Sequence, residues 1–296
     1  MIVSGAMMPA ICDGFDDILT EFRLFGALLP AFVGWLAAAL WGLMIGSFAT
    51  VAMERWPAII EGRMPASALW YPGSRCPPCG RPLTWAQAMP LIGWLALRGH
   101  CPCGAQRVPA RYPLVELGGV VFVLAAALLA PAPADRAVAF VLVASVLYVL
   151  AVVDARSGYL PDALTLGLLW AGLLASALGP CGLDAIAPGD AIAGAATGWL
   201  VMALVGTMAR LRLGHEALAR GDWKLVAAVG AWGGVLAVFH LLLLGSVAAL
   251  ALAPLLDRFR LGDDADGPRG VPLGPGFALA ALPVLAGLVP SLDLFG

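Results

Sequence analysis

The stretch AVAFVLVASVLYVLAVVDARSGYLPDALTLGLLW, residues 137–170, decides the fold class. Two apolar runs flank a short polar segment, and Asp154 stands where the first run ends. A helix needs about 20 predominantly apolar residues to cross a bilayer, and these runs approach that length. The stretch therefore predicts two membrane-spanning helices joined by a short polar connection.

The rest of the chain has the same character. Its mean hydropathy is +0.91 and 12% of its residues are charged, whereas soluble domains average about 25% charged residues. We therefore expect an all-α integral membrane protein with about eight transmembrane helices in a lipid bilayer, and no nucleic-acid partner. The predicted spans are 27–53, 113–131, 136–153, 163–179, 186–209, 223–238, 240–256 and 275–291.

The boundary between the sixth and seventh spans is the least obvious. The apolar run 225–256 is too long for one span, and its polarity changes only near Phe239 and His240. A tight outer turn is expected at that point.

The arginines and the single lysine, Lys224, predict the orientation. With eight spans, every basic residue except Arg23 and Arg136 falls in or beside the same set of connections. Basic residues favour the cytoplasmic side of a membrane. The large connection 54–112 is therefore expected in the cytoplasm and both termini outside.

Four segments follow from this topology. Residues 1–26 are a short outer segment, with acids where a secretory signal needs a basic start. Residues 27–53 are the first transmembrane helix, and 54–112 a cytoplasmic cysteine-rich insertion between the first and second helices. Residues 113–296 form a seven-helix membrane domain.

The insertion contains RCPPCG at 75–80 and HCPCG at 100–104. In a cytoplasmic loop thiols stay reduced, which favours metal binding over a disulfide. Cys76 and Cys79 have the C-x2-C spacing of a zinc knuckle, and Cys101 and Cys103 form a C-x-C pair that is one residue shorter. A site with four thiolates is closed and therefore structural.

Two alternatives to a four-cysteine zinc site stay open. The thiols are free or redox-active in the first, and His100 replaces one sulfur in the second. The remaining cysteines, Cys12 and Cys181, lie far away and are interpreted as ordinary small residues.

Two aspartates are predicted at the same membrane face. Asp154 closes the third span and Asp222 opens the sixth, so both lie at the cytoplasmic boundary. Two facing carboxylates cannot both ionise cheaply, so one holds a proton while the other stays charged. Such a pair can polarise a carbonyl and activate a water, which is the chemistry of an aspartic protease. The alternative is that each acid only marks a helix end.

Three other charged residues near the spans receive different interpretations. Asp162, after Pro161, is expected to cap the fourth span, and Asp190 lies near the outer boundary, away from the pair. Lys224 stands two residues after Asp222. It either positions the loop of the acid against a backbone carbonyl or a third-span carboxylate, or it extends to the interface and fixes the topology.

The motifs together resemble the type IV prepilin peptidases, a family of GxGD-type membrane aspartyl proteases. The resemblance covers most of the chain, and its motifs follow in the family's order. They are GLMIGSFATVAMERWP at 42–57, RCPPCG at 75–80, LIGWLALRGHCPCG at 91–104, RYPLVEL at 111–117, DARSGYLPDALTLGLLW at 154–170 and EALARGDWKLVAAVGAWGG at 216–234.

The resemblance implies an activity, a location and a set of site residues. Family members remove the basic leader of type IV prepilins or pseudopilins at the cytoplasmic face of the bacterial inner membrane. Many then methylate the new N-terminus with S-adenosylmethionine. Carried over to this chain, the catalytic pair is Asp154 and Asp222. The zinc ligands are Cys76, Cys79, Cys101 and Cys103.

The chain departs from the family pattern at three places. The GxGD motif is Ala219-Arg220-Gly221-Asp222, the second cysteine pair is one residue short, and Thr50 replaces a usual asparagine. Gly221 keeps the position where close backbone approach or an unusual φ is expected.

Further hypotheses concern how the substrate is bound and which class of function the protein has. A basic leader needs acids nearby, for which Glu54, Glu61 and Glu216 are candidates. A transporter that relays protons or cations through the paired carboxylates is the alternative function. A membrane scaffold whose cysteine loop docks a partner is a third.

Overall fold

The computed structural model of the protein describes residues 31–76, 79–104, 106–131, 134–178, 186–214, 218–260 and 271–289. Within them the regular secondary structure is helical, apart from isolated bridges. The helices are α1 (Ala31–Ile60), α2 (Trp85–Ala88), α3 (Ile92–Ala96), α4 (Arg111–Leu129), α5 (Ala134–Ser157), α6 (Asp162–Leu178), α7 (Pro188–Leu213), α8 (Arg220–Arg260) and α9 (Gly274–Leu285), with a 3₁₀ turn at Ala66–Leu69.

The predicted all-α membrane fold is confirmed. Five of the described helices are long and apolar enough to cross a membrane, and α6 and α9 are shorter apolar helices. Each predicted span coincides with a helix, and the sixth and seventh coincide with consecutive parts of α8. Residues 1–30 and 290–296 lie outside the described residues, as do Cys12 and Cys181. The division at 54–112 and 113–296 stays a prediction.

The expected turn near Phe239 and His240 is wrong. The helix runs through both residues, and its backbone is non-helical at Gly234, where φ is 75° and ψ is −171°. A Cβ on Gly230 would lie 2.9 Å from Val238, although residues eight apart in a straight helix are separated by about 12 Å. The chain therefore bends sharply at Gly234. Hydropathy indicated His240, but only glycine adopts this backbone conformation without strain.

The helix α5 lies at the centre of the bundle. It packs against α1, α4, α6, α8 and α9, and its Leu147, Leu150 and Val153 are fully buried. Around it the outer helices keep large apolar side chains exposed, for example Leu200, Leu204 and Leu211 on α7. Lipid tails solvate such surfaces as well as protein does. The burial of α5 places its last turn, with Asp154, inside the bundle.

The insertion is attached to the ends of α1 and α4. Arg55 donates hydrogen bonds to the carbonyls of Ala68 at 2.6 Å, Pro72 at 2.8 Å and Gly73 at 3.2 Å. The carboxylate of Glu116 on α4 accepts a 2.7 Å hydrogen bond from the N–H of Leu91. Side chains of the membrane helices thus hold the backbone of the insertion.

Candidate active site

The two predicted acids are both buried. Asp154 lies in the last turn of α5 and is 3% exposed, and Asp222 lies in the first turn of α8 and is 5% exposed. Their carboxylates are close enough to interact electrostatically, although 67 residues separate them in the chain. Buried carboxylates are rare unless they are paired or functional. The fold therefore brings together the two acids that the sequence had placed only at the same depth.

The connection between α5 and α6 packs against the start of α8. The backbone N–H of Gly158 donates to the carbonyl of Asp154 at 2.8 Å, which ends α5. Leu160 is buried against Gly221, where a Cβ would lie 2.7 Å from the Leu160 Cβ. The sequence prediction of close approach at Gly221 is confirmed. This contact packs Gly221, the residue before Asp222, against the segment that follows Asp154.

A third helix end meets the pair, which sequence reasoning missed. Gly274, the first residue of α9, donates its backbone N–H to Oδ2 of Asp154 at 2.8 Å. Pro275 in the first turn is a helix-start signal that the sequence carries. No local pattern could reveal its contact with an aspartate 120 residues earlier.

Lys224 pairs with an acid from another helix. Its Nζ lies 2.5 Å from Oδ1 of Asp162, the first residue of α6. The expected partner was a backbone carbonyl or a third-span carboxylate, so the partner was predicted wrongly. Asp162 lies in the first turn of its helix, where its role as a cap stays a prediction, and its ion pair joins the starts of α6 and α8.

Asp190 does not join the pair. It lies in the first turn of α7, where its backbone carbonyl is beside Gly234. That glycine is twelve residues after Asp222, about 18 Å along a helix. Asp190 therefore lies at the far end of α8's first half, as the topology predicted.

The acids considered for a basic leader are largely occupied. Glu54 pairs with Arg111 at 3.6 Å and accepts a 3.1 Å hydrogen bond from the Tyr112 hydroxyl. Glu61 pairs with Arg63. Glu216 lies outside the described residues. Within the described residues, the charge of both glutamates is thus already partnered by arginines of this chain.

The four cysteines of the insertion lie together, with the sulfur of Cys101 in contact with the other three. The Sγ of Cys101 lies 3.1 Å from that of Cys76, 3.0 Å from that of Cys79 and 2.9 Å from that of Cys103. The sulfurs of Cys76, Cys79 and Cys101 form a group that could hold a metal ion. The shortened Cys101/Cys103 pair therefore still reaches the cluster.

Two similar turns produce this convergence. In the first, the N–H of Cys76 donates to the carbonyl of Arg81 at 2.8 Å, and in the second the N–H of Cys101 donates to that of Gln106 at 2.7 Å. The N–H of Cys103 points at the sulfur of Cys101 at 3.4 Å. Sulfur acceptors and backbone donors of this kind are typical of zinc knuckles.

The chemistry of the thiols fits a soft divalent metal. The hydrogen bond from Cys101, with one from the Arg81 backbone, lowers the pKa of the Cys79 thiol to about 7. Burial raises the pKa of the Cys101 thiol. A thiolate is the form that binds metal, and four sulfurs around zinc lie about 3.8 Å apart. A small outward movement of the sulfurs would fit that spacing.

His100 is not part of the cluster. Its Nδ1 lies 2.9 Å from the carbonyl of Arg98, and its side chain is exposed. The metal-binding group found among the described residues contains cysteines alone. The geometry thus favours cysteine ligands over His100, with Cys76, Cys79 and Cys101 in the group and Cys103 in contact with Cys101.

Comparison with known proteins identifies two matching regions. Residues 40–130 match the Bacterial Peptidase A24 N-terminal domain, and residues 140–253 match the Type IV leader peptidase family. The first region includes the cysteine cluster and the second includes both buried aspartates. No solved structure matches the chain.

Full-length relatives agree with these matches. The chain is 40% identical to a prepilin leader peptidase/N-methyltransferase of Klebsiella pneumoniae, over 75% of this chain and 98% of the relative. It is 34% identical to the protein of that name from Pectobacterium carotovorum subsp. carotovorum, over 89% and 96% of the two chains. A third, from Aeromonas hydrophila, is 36% identical over 81% and 86%. This chain is therefore a multi-pass membrane protein that belongs to the type IV leader peptidase family.

Proposed function

We propose that this protein is a membrane aspartic endopeptidase that removes the leader from type IV prepilins or pseudopilins. The observation that carries the proposal is the burial of Asp154 and Asp222 at facing helix ends, in electrostatic contact. The relatives, whose names include prepilin leader peptidase, support the substrate class. The site lies at the cytoplasmic face, where most basic residues cluster.

The two carboxyl groups have different roles in the proposed reaction. One, ionised, takes a proton from the attacking water, and the other, protonated, donates a hydrogen bond to the carbonyl oxygen of the scissile peptide. As the water adds to the carbonyl carbon, the tetrahedral oxyanion is stabilised by that second carboxyl. Proton return to the leaving nitrogen then breaks the C–N bond. The burial of both acids keeps bulk water away and strengthens these interactions.

The cysteine cluster has a structural role in this proposal. Cys76, Cys79, Cys101 and Cys103 would hold a zinc ion that supplies no reactive position, because four protein ligands close the coordination sphere. The two turns carry the ends of a segment that also includes α2 and α3. Joining the turns would therefore hold the two ends of this segment together.

N-methylation of the new N-terminus by S-adenosylmethionine is the second part of the proposal, and it is supported by the names of the relatives. A groove of about 440 Å³ between α5 and α6 is lined by apolar residues, as is one of about 400 Å³ between α4 and α9. Neither offers polar partners for an adenosine or a charged sulfonium. No residue is therefore assigned to the methyl donor.

The test separates the two activities and excludes the transport function. Purified protein in vesicles is incubated with a prepilin and labelled methyl donor, and the product is weighed by mass spectrometry. Asp154→Asn and Asp222→Asn are each expected to abolish loss of the leader while insertion and folding stay normal. Asp190→Asn, a matched acid at the far end of α8's first half, should cleave normally. Normal cleavage by both active-site variants, or a change in ion flux alone, would refute the protease mechanism.

A further inference from the structure

The amino end of α9 touches one member of the acid pair. Gly274 is buried, and its N–H donates to Oδ2 of Asp154 at 2.8 Å. The first N–H groups of a helix have no partner within the helix, and Pro275 next to it has no N–H at all. The start of α9 therefore directs one particular donor at the carboxylate. Its position at a positive helix end suits an acidic partner.

The contact also depends on the absence of a side chain at residue 274. A Cβ there would lie 2.7 Å from Oδ2 of Asp154 and 2.9 Å from its Cβ. Carbon atoms attract at about 3.5–4.0 Å and repel well inside that distance. Both the carboxylate and the last turn of α5 would have to move. No other residue type can therefore present this amide to Asp154 at the same distance.

We propose that Gly274 is a positioning residue for leader cleavage: its amide fixes the orientation of the Asp154 carboxylate, and its lack of Cβ lets α9 approach closely enough to do so. The inference rests on the proposed function of Asp154. It makes the start of α9 a third component of the site, beside the end of α5 and the start of α8. The torsion of an aspartate about its Cβ–Cγ bond has broad minima, so a hydrogen bond to one carboxylate oxygen narrows the range of its orientations. A fixed carboxylate plane is needed to align a water for attack.

Gly274→Ala is the direct test, with cleavage of a prepilin by the purified full-length protein as the assay. The kcat is expected to fall about 10- to 150-fold, which is the rate equivalent of a lost hydrogen bond to a charged group. The KM should stay within about twofold, because the substrate-binding surface is unchanged. Cleavage by the wild-type protein is measured alongside. If the wild type does not cleave, the proposed function fails, whereas wild-type cleavage with a normal variant overturns only the role of Gly274.

Two glycine controls separate positioning from packing. A Cβ on Gly194 of α7 would collide with the carbonyl oxygen of Gly230 and lie 2.8 Å from Cα of Gly234, at the far end of α8's first half, so Gly194→Ala should lower the thermal midpoint while folded protein keeps its kcat. Gly167 on α6 has nothing within 4 Å of its Cβ position, so Gly167→Ala should change neither quantity. Equal kcat losses in Gly274→Ala and Gly194→Ala would overturn the inference, because the effect would then be one of helix packing.

A second measurement leaves Gly274 intact and covers the case in which Gly274→Ala does not fold. Amide hydrogen exchange is followed in peptides that contain Gly274, in the wild type and in Asp154→Ala. Loss of the acceptor should speed exchange of this amide at least tenfold, and Asp190→Ala should leave it unchanged. Equal exchange in wild type and Asp154→Ala would overturn the inference.

Discussion

Replacing Lys224 or Asp162 should change leader cleavage more than stability. Lys224 stands two residues after Asp222, and its Nζ lies 2.5 Å from Oδ1 of Asp162. The pair joins the first turn of α8, which carries Asp222, to the first turn of α6. Breaking it frees the start of α8 to move relative to the loop that follows Asp154. Lys224→Met and Asp162→Asn each remove one charge while keeping a similar side-chain size.

The exposure of the two side chains limits the energy of the pair. The Lys224 side chain is 29% exposed and that of Asp162 is 61% exposed. Solvent screens such a pair, and measured exposed pairs contribute about 0.2–1 kcal/mol to stability. We therefore expect a coupling free energy of unfolding of about 0.5–1 kcal/mol. The effect on kcat should be larger, about tenfold or more, because a 1 Å displacement of a reacting group can cost about 100-fold.

A double-mutant cycle measures both quantities. Lys224→Met, Asp162→Asn and the double variant are compared with wild type for thermal midpoint and for kcat of prepilin cleavage. The single variants should show similar kcat losses, and the double variant should lose no more than either. Lys224→Arg keeps the charge and is expected to retain most activity. Additive losses in the double variant, or wild-type kcat in Lys224→Met, would refute the claim that this ion pair positions Asp222.

Three further predictions concern glycines and the cysteine cluster. Gly221→Ala should lower kcat about 100-fold by pushing Asp222 away from Leu160; a folded variant with normal kcat would contradict this. Gly234→Ala should cost about 1–3 kcal/mol of stability, measured by thermal unfolding in detergent, because φ is 75° there; an unchanged midpoint would show that the bend is not needed. Metal analysis should find zinc in the wild type and in His100→Ala but not in Cys101→Ser, and a chelator should lower the wild-type thermal midpoint; zinc retained in Cys101→Ser would exclude this cluster.

Local sequence determined where the membrane helices lie. Apolar runs such as 136–153 and 163–179 are long enough to partition into lipid whatever their neighbours do, and the helices follow them. The turn at 234 escaped detection because hydropathy responds to polarity, as at His240, and not to backbone conformation. Nothing in the local sequence distinguishes Gly234, whose φ is positive, from the other glycines of the same helix.

The candidate site, too, has one part that the sequence indicated and another part that it did not. Asp154, Asp222 and the cysteine pairs could be named as candidates from the sequence, because a carboxylate beside a span and a thiol pair in a tight turn are costly or reactive wherever they occur. The partners of these residues were not predictable. Lys224 reaches Asp162 and Gly274 reaches Asp154 only after α6, α8 and α9 have packed on α5.

The sequence by itself thus determined the class of protein and the approximate spans, since both depend on the transfer of a short segment between water and lipid, and it named the candidate residues for the proposed chemistry. Tertiary structure alone decided that the end of α5 and the starts of α8 and α9 meet at one point. The interaction between residues 68 positions apart and the hydrogen bond between residues 120 positions apart arise from helix packing in lipid. Close fit of small residues and interhelical hydrogen bonds select the neighbours there, and no hydropathy pattern encodes them.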